Sequence, residues 1–277
     1  MTKVAVIIPT LASEATMPYL KLCVESLRAT VDWPIIVVTN GSSNKPDLKD
    51  IKGITTHLHT PKQGQCIASN YGAQIAPDGT DYLFIVNDDM VFAPNWNKNL
   101  NFRFPVFSPN LIEPMNNHGS AEPFLKVNGG FTLDEFNQAI VDEFVQKEVN
   151  KLTGDPVIET GFNLPFFIEK DLWTLLNGYD IAYDPWSSNS DTDLQTRINL
   201  AGVIPMRLRN VLVYHFSNKS GTFSPENDAF RMNNFEYFMD KFGFSRDTVP
   251  GCDVWYNRNM LPEDKTEIKY KQAKYEA

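Results

Sequence analysis

Short apolar runs, each halted by turn-forming residues, recur along the first hundred residues, and stretches with helical spacing separate them. Val4-Ala5-Val6-Ile7-Ile8 stops at Pro9-Thr10, and Pro34-Ile35-Ile36-Val37-Val38 stops at Thr39-Asn40-Gly41-Ser42-Ser43-Asn44. Ile54 to Leu58 is a weaker run, and Tyr82-Leu83-Phe84-Ile85-Val86 leads straight into Asn87-Asp88-Asp89. Continuous apolar runs bounded by turn residues predict strands covered on both faces. Between the first two, Leu20, Cys23, Val24 and Leu27 give Pro18 to Ala29 one apolar helical face. Before the fourth, a glycine turn at Gly64 opens a helix that runs through Asn70-Tyr71-Gly72 to about Ala76. Strand and helix alternation of this kind predicts an α/β fold with a mainly parallel sheet.

The pattern then becomes less regular. Phe104, Val106, Phe107, Leu111 and Ile112 predict short strands in a Pro-rich stretch, and Pro, Asn and Gly mark a loop between 114 and 130. Thr132-Leu133-Asp134-Glu135 has the form of a capping box, so a helix is expected from there to about Leu152, with Leu133, Phe136, Ile140, Phe144, Val145 and Val149 on its apolar side. A strand is expected over Gly161 to Ile168, a short helix from Lys170 to Leu176, and a helix N-capped by Ser190 that Gly202 ends. Val203 to Val213 reads as two short strands closing with Tyr214-His215-Phe216-Ser217, and Ser224-Pro225-Glu226 opens a last helix ending at Gly243. The remainder is expected to be irregular.

Composition narrows the classes. A 42% apolar share in 277 residues suffices for an ordinary core, and no segment has the length of an uninterrupted transmembrane helix. The net charge of −9 argues against a nucleic-acid scaffold, and the basic residues between Lys265 and Lys274 alternate with acids. Three widely spaced cysteines, Cys23, Cys66 and Cys252, indicate neither a disulfide framework nor a zinc site. The N-terminus lacks the pattern of a secretion signal, so cytoplasmic residence is the expectation. GxGxxG after the first strand and GxxxxGK[ST] are both missing, which removes the dinucleotide and P-loop readings.

The chemistry concentrates at strand tips. Asp88-Asp89 sits at the carboxyl end of its strand, where open α/β sheets bind ligands, and paired acids there suit a hard divalent cation that bridges phosphates. A solvated Asp-Asp turn explains that stretch equally well. Asp191 and Asp193 offset the dipole of their helix, His215 among aromatics is a common structural histidine, and Trp186 suits the core or a sugar ring alike.

Taken together in order and spacing, these stretches resemble the family 2 glycosyltransferases of the GT-A fold over residues 3–218. Ile8-Pro9-Thr10-Leu11 is similar to the family's opening, Val37-Val38-Thr39-Asn40-Gly41-Ser42 to its second-strand motif, and Gly64 to Gly72 to its Gly…Asn-x-Gly helix. Asn87-Asp88-Asp89 is similar to the DxD-type metal site, Asp191-Thr192-Asp193-Leu194 with Arg197 to the acidic acceptor-side motif after Gly178-Tyr179-Asp180, and His215 to a further metal ligand. The resemblance implies a metal-dependent, inverting glycosyltransferase whose mixed sheet is flanked by helices, with a nucleotide half at 1–100, an acceptor half at 101–218, and the helix and tail of 219–277 packed on the same domain. It implies that a nucleoside diphosphate sugar, most readily a UDP-sugar, contacts Pro9, Thr10, Leu11, Thr39, Asn40, Gly41, Gln63, Gly64, Asn70, Asn87 and Asp88. Asp89 and His215 would hold Mn²⁺ or Mg²⁺, Asp191 would be the catalytic base, and Trp186 and Asp193 would face the acceptor. That acceptor is a glycan, a lipid-linked sugar, a protein or a modified base. Departures occur where the family usually has an acid at Thr39, an Arg at Ser69 and a Glu at Ser190. The alternatives are a nucleotidyltransferase acting on sugar phosphates and a non-catalytic glycan or nucleotide binder with a decayed site.

Overall fold

The computed structural model describes residues 2–115, 123–152, 154–159, 164–219 and 224–242. The expected strand start at 161–163, the helix stop at Gly243 and the tail with its basic residues lie outside them. The elements in chain order are β1 (Val4–Thr10), α1 (Met17–Arg28), β2 (Ile35–Asn40), β3 (Thr56–Thr60), α2 (Gln65–Gln74), β4 (Tyr82–Ile85) and β5 (Met90–Val91). They continue with β6 (Val106–Pro114), β7 (Lys126–Val127), α3 (Gln138–Val149), β8 (Val157–Ile158), β9 (Phe166–Glu169), α4 (Lys170–Leu175), α5 (Ser190–Leu200), β10 (Met206–His215) and α6 (Asp228–Phe242).

One sheet runs in the order β3-β2-β1-β4-β9-β6-β10-β5, with β7 beside β6 and β8 beside β10. Strands β3, β2, β1 and β4 are parallel, as the strand and helix alternation requires. The next strand, β9, is inserted antiparallel between β4 and β6, and β6 and β10 are again parallel. Every residue of β1, β2, β4 and most of β6 is buried, the burial expected of strands covered on both faces. Stacked aromatic rings fasten the inserted strand: Phe167 lies 3.9 Å from Phe84 and 4.7 Å from Phe107 between ring centroids. Helix α1 buries Leu20, Cys23, Val24 and Leu27, the four residues its spacing selects. Among the described residues no helix is long and apolar enough to cross a membrane.

Three local expectations change. The Pro-rich stretch forms a single strand, β6, because β10 shifts register between Leu208, paired with Pro109, and Leu212. The irregularity absorbs a residue that cannot donate to the ladder. Helix α3 starts at Gln138, not at the capping box: Asn137 Oδ1 accepts from the amides of Ala139 and Ile140. Glu135 still reaches back to the amides of Phe131 and Thr132, but it closes a turn. The buried stripe of α3 is therefore Val141, Val145 and Val149, while Ile140 is exposed. Finally, Ser190 is the first residue of α5 and buried; Asn189 precedes it with φ 66° and no side-chain cap.

Candidate active site

The chain turns from one side of the sheet to the other between β1 and β4. Strand β2 lies on one flank of β1 and β4 on the other, so the carboxyl ends of β1 and β4 border the crevice where open sheets take ligands. A hydrogen bond crosses it, from Thr10 Oγ1 to Asp88 Oδ2 at 2.5 Å. Burial and the neighbouring Asp89 push the Asp88 carboxyl up to about 7. Asp89, also buried, behaves oppositely: desolvation raises it, but His215 outweighs this and holds it below the usual carboxylate range. His215 reaches Asp89 because the antiparallel β5 and β10 put His215 opposite Met90, and Nε2 lies 3.1 Å from Asp89 Oδ1. Asn87 lies beside the pair, its amide nitrogen 3.4 Å from the same Nε2.

His215 is oriented from behind. Ser217 Oγ lies 3.1 Å from Nδ1 and donates to Glu113 Oε1 at 3.0 Å, while Lys126 donates to Glu113 Oε2 at 2.9 Å. Glu113 is 1% exposed at the carboxyl end of β6. A charge-balanced pair thus ends a chain of contacts that fixes the imidazole, the arrangement metal-ligating histidines use. Lys219 adds a cation to this edge: its backbone amide bonds Asp89, and its ammonium lies 3.3 Å from the centroid of the Phe131 ring. No group of three or more His, Cys, Asp or Glu side chains placed to hold a metal occurs among the described residues. Two donors, one a carboxylate kept ionised, suit Mn²⁺ or Mg²⁺ that takes its other oxygens from phosphates and water.

The residues expected to meet the nucleotide divide into two sets. Gly41 has φ 85°, and the position a Cβ would take lies 3.2 Å from Gln63 and 3.3 Å from Leu11, so Leu11, Gly41 and Gln63 line one solvent-accessible corner beside the buried Pro9. Thr39 and Asn40 do not join it. Thr39 is fully buried, and its hydroxyl is shared by His57, His59 and the Leu58 carbonyl at 3.0 to 3.1 Å. Asn40 braces the frame, donating to the Thr10 carbonyl at 2.9 Å and accepting from the Gly64 amide at 3.0 Å. Asn70 is likewise occupied: its amide donates to the Tyr179 carbonyl at 2.7 Å and accepts from the Tyr179 amide at 2.9 Å. All three were expected to face the ligand; Asn40 and Asn70 are engaged with backbone, and Thr39 with two histidines and a carbonyl.

The grip of Asn70 on Tyr179 also positions a phenol. Gly178 has φ 61°, and a Cβ there would lie 2.2 Å from Asn70 Oδ1, so only glycine lets the chain approach the amide. Held in this way, Tyr179 directs its phenol at Asp191 Oδ1, 2.5 Å away. Burial pushes the Asp191 carboxyl up to about 6, against the lowering effect of the Tyr179 hydrogen bond. Asp191 is partly exposed and Trp186 half-buried. Asp193 does not face the cleft: it is fully buried and pairs with Arg197 at 2.6 Å and Lys241 at 2.5 Å. At helical spacing, two residues separate the faces of a helix, so only one of this acid pair points outward.

Asp184 is a contact that sequence spacing did not reveal. It accepts from the amides of Cys66 and Ile67 at 3.1 and 2.9 Å and from Ser187 Oγ at 2.6 Å, capping α2 from across the molecule. A Cβ at Gly64 would collide with it at 1.9 Å. The N-terminus of α2, a natural anion site, is filled by the protein's own carboxylate.

Residues 5–101 match the family model described as glycosyl transferase family 2. By this segment the chain is similar to that family. Among solved structures it is similar to GalNAc-T7 with UDP, GalNAc and Mn²⁺, at 15% identity and a TM-score of 0.53, over 88% of this chain and 57% of that one. It is also similar to S. aureus TarS 1-349, at 12% identity and a TM-score of 0.51, over 97% of this chain and 83% of that one. A second structure of that protein, in complex with UDP-GlcNAc, gives a TM-score of 0.52 at 12% identity over 97% and 84% of the two chains. No curated protein matches in sequence. The fold is GT-A.

Proposed function

We propose that the protein transfers a sugar from a nucleoside diphosphate sugar to an acceptor hydroxyl with inversion, using Asp191 as the base. The observation that carries this reading is the Tyr179–Asp191 pair: a partly exposed carboxyl raised to about 6 and aimed by a buried phenol. A carboxylate tuned toward neutrality takes the acceptor proton as the hydroxyl attacks the anomeric carbon, and the diphosphate leaves with the bonding pair. Leu11, Gly41 and Gln63 form the corner for the base of the donor, Asp88 lies on its ribose side, and Lys219 stands by the anionic diphosphate.

Asp89 and His215 are the residues that would hold Mn²⁺ or Mg²⁺; when bound, the ion neutralises charge on the departing diphosphate. Similar structures contain UDP with Mn²⁺ and UDP-GlcNAc, which favours a UDP-sugar as donor here. In this reading residues 1–100 serve the donor and residues 101–218 the acceptor. Buried free thiols at Cys23 and Cys66 suit the reducing cytoplasm. Incubation with a panel of nucleotide sugars, read as slow hydrolysis and as thermal stabilisation with Mn²⁺, tests the reading. One donor should stabilise and hydrolyse; stabilisation by none, with or without Mn²⁺, contradicts it.

A further inference from the structure

Four charged side chains are buried together behind the candidate base. Lys241 of α6 lies 2.6 Å from Asp180 Oδ2 and 2.5 Å from Asp193 Oδ2, with all three side chains at most 1% exposed. Arg197 closes the set: its Nε donates to Asp193 Oδ1 at 2.6 Å, and its Nη1 donates to the carbonyls of Leu176 and Gly178, each at 2.8 Å. Tyr237 donates to Asp180 at 2.8 Å and Tyr183 to Asp193 at 3.1 Å. Two cations balance two carboxylates, and an apolar cluster of similar volume would be no less stable, so stability alone does not account for these residues.

Their place in the chain does. Asp180 adjoins Tyr179, and Asp193 lies two residues beyond Asp191 in the same first turn of α5. A single ammonium therefore ties together the two backbone stretches that carry the Tyr179–Asp191 hydrogen bond, while Asn70 grips Tyr179 from the other side. We propose that Lys241 is a positioning residue for the acceptor side, setting the geometry of Asp191 through Asp180 and Asp193. Helix α6, outside the family segment, becomes part of the transfer machinery. The proposal rests on the reading of Asp191 as base. The groups that face Asp191 are the Tyr179 phenol and, from α2, the Cys66 thiol, whereas Lys241 acts on it only through the backbone.

The test compares wild type with Lys241→Met and with Lys241→Met/Asp180→Asn. The second variant keeps the cluster neutral and keeps the oxygen that caps Ala182, so that folding is retained. The Asp191 carboxyl is titrated by carbon-13 NMR, assigned with Asp191→Asn, beside steady-state kinetics. Loosening the Tyr179 bond removes the effect that lowers Asp191, so its midpoint should rise by about half a unit or more, with kcat down about tenfold or more and donor KM within about twofold. An unmoved or lowered midpoint in the folded double variant overturns the proposal, whatever happens to kcat. If Asp191→Asn proves as active as wild type, the reading of Asp191 as base fails, and the midpoint still decides whether Lys241 positions it.

Discussion

The proposed base, Asp191, can take a proton only when ionised, and its carboxyl is raised to about 6, so activity should be lost as pH falls through about 6 and be full above it. A kcat profile from about pH 3.5 to 8 checks this, and a limb near pH 4 would contradict the tuning by burial. Tyr179→Phe removes the phenol at 2.5 Å whose bond lowers the carboxyl. The limb should move upward by about half to one unit, with donor KM unchanged. On the donor side, Asp89→Ala leaves His215 without the carboxylate 3.1 Å away. Calorimetry with UDP should show a Mn²⁺-enhanced affinity in wild type and none in the variant; equal affinity with and without Mn²⁺ in wild type would count against the site.

Elements with a clean period were legible in the sequence. Strands β1, β2 and β4 and helix α1 stand where apolar runs and helical spacing predict them, because each buries the side chains that make the pattern. Elements decided by partners were not. Nothing in Phe166-Phe167-Ile168 says that β9 enters antiparallel between two strands distant in sequence, and Pro109 suggested a break that a bulge in β10 removes. Glycine at 72 has a packing reason visible only in the structure: a Cβ would lie 2.6 Å from Ile7 Cγ2, where α2 crosses β1. Gly72→Ala should cost about 1–3 kcal/mol in thermal or urea unfolding, from overpacking, with kcat of the folded protein unchanged.

At the scale of the molecule, one sheet carries ten strands, and bonds between residues distant in sequence fasten the elements around it. Asn70 holds Tyr179, Asp184 caps α2, Asn40 joins β1 to the Gly64 turn, and Lys241 joins α6 to α5. The nomination of Asp88, Asp89, Asp191 and His215 as candidates was legible by type and order, while their roles are proposed. Their division between ligand and frame was not, because the amides and carboxylates that bind nucleotides also satisfy buried backbone. Asn40 and Asn70 are engaged with backbone for that reason, whereas Thr39 is held by two histidines and a carbonyl and Asp193 by Arg197 and Lys241.

The division of labour between the two sides is tested most directly by Asp191→Asn, which keeps an oxygen for the Tyr179 phenol and removes the proton acceptor. Transfer from the active nucleotide sugar should fall at least about a hundredfold, with Mn²⁺-dependent UDP affinity equal to wild type. Retained transfer, or loss of transfer and nucleotide affinity together, would contradict it.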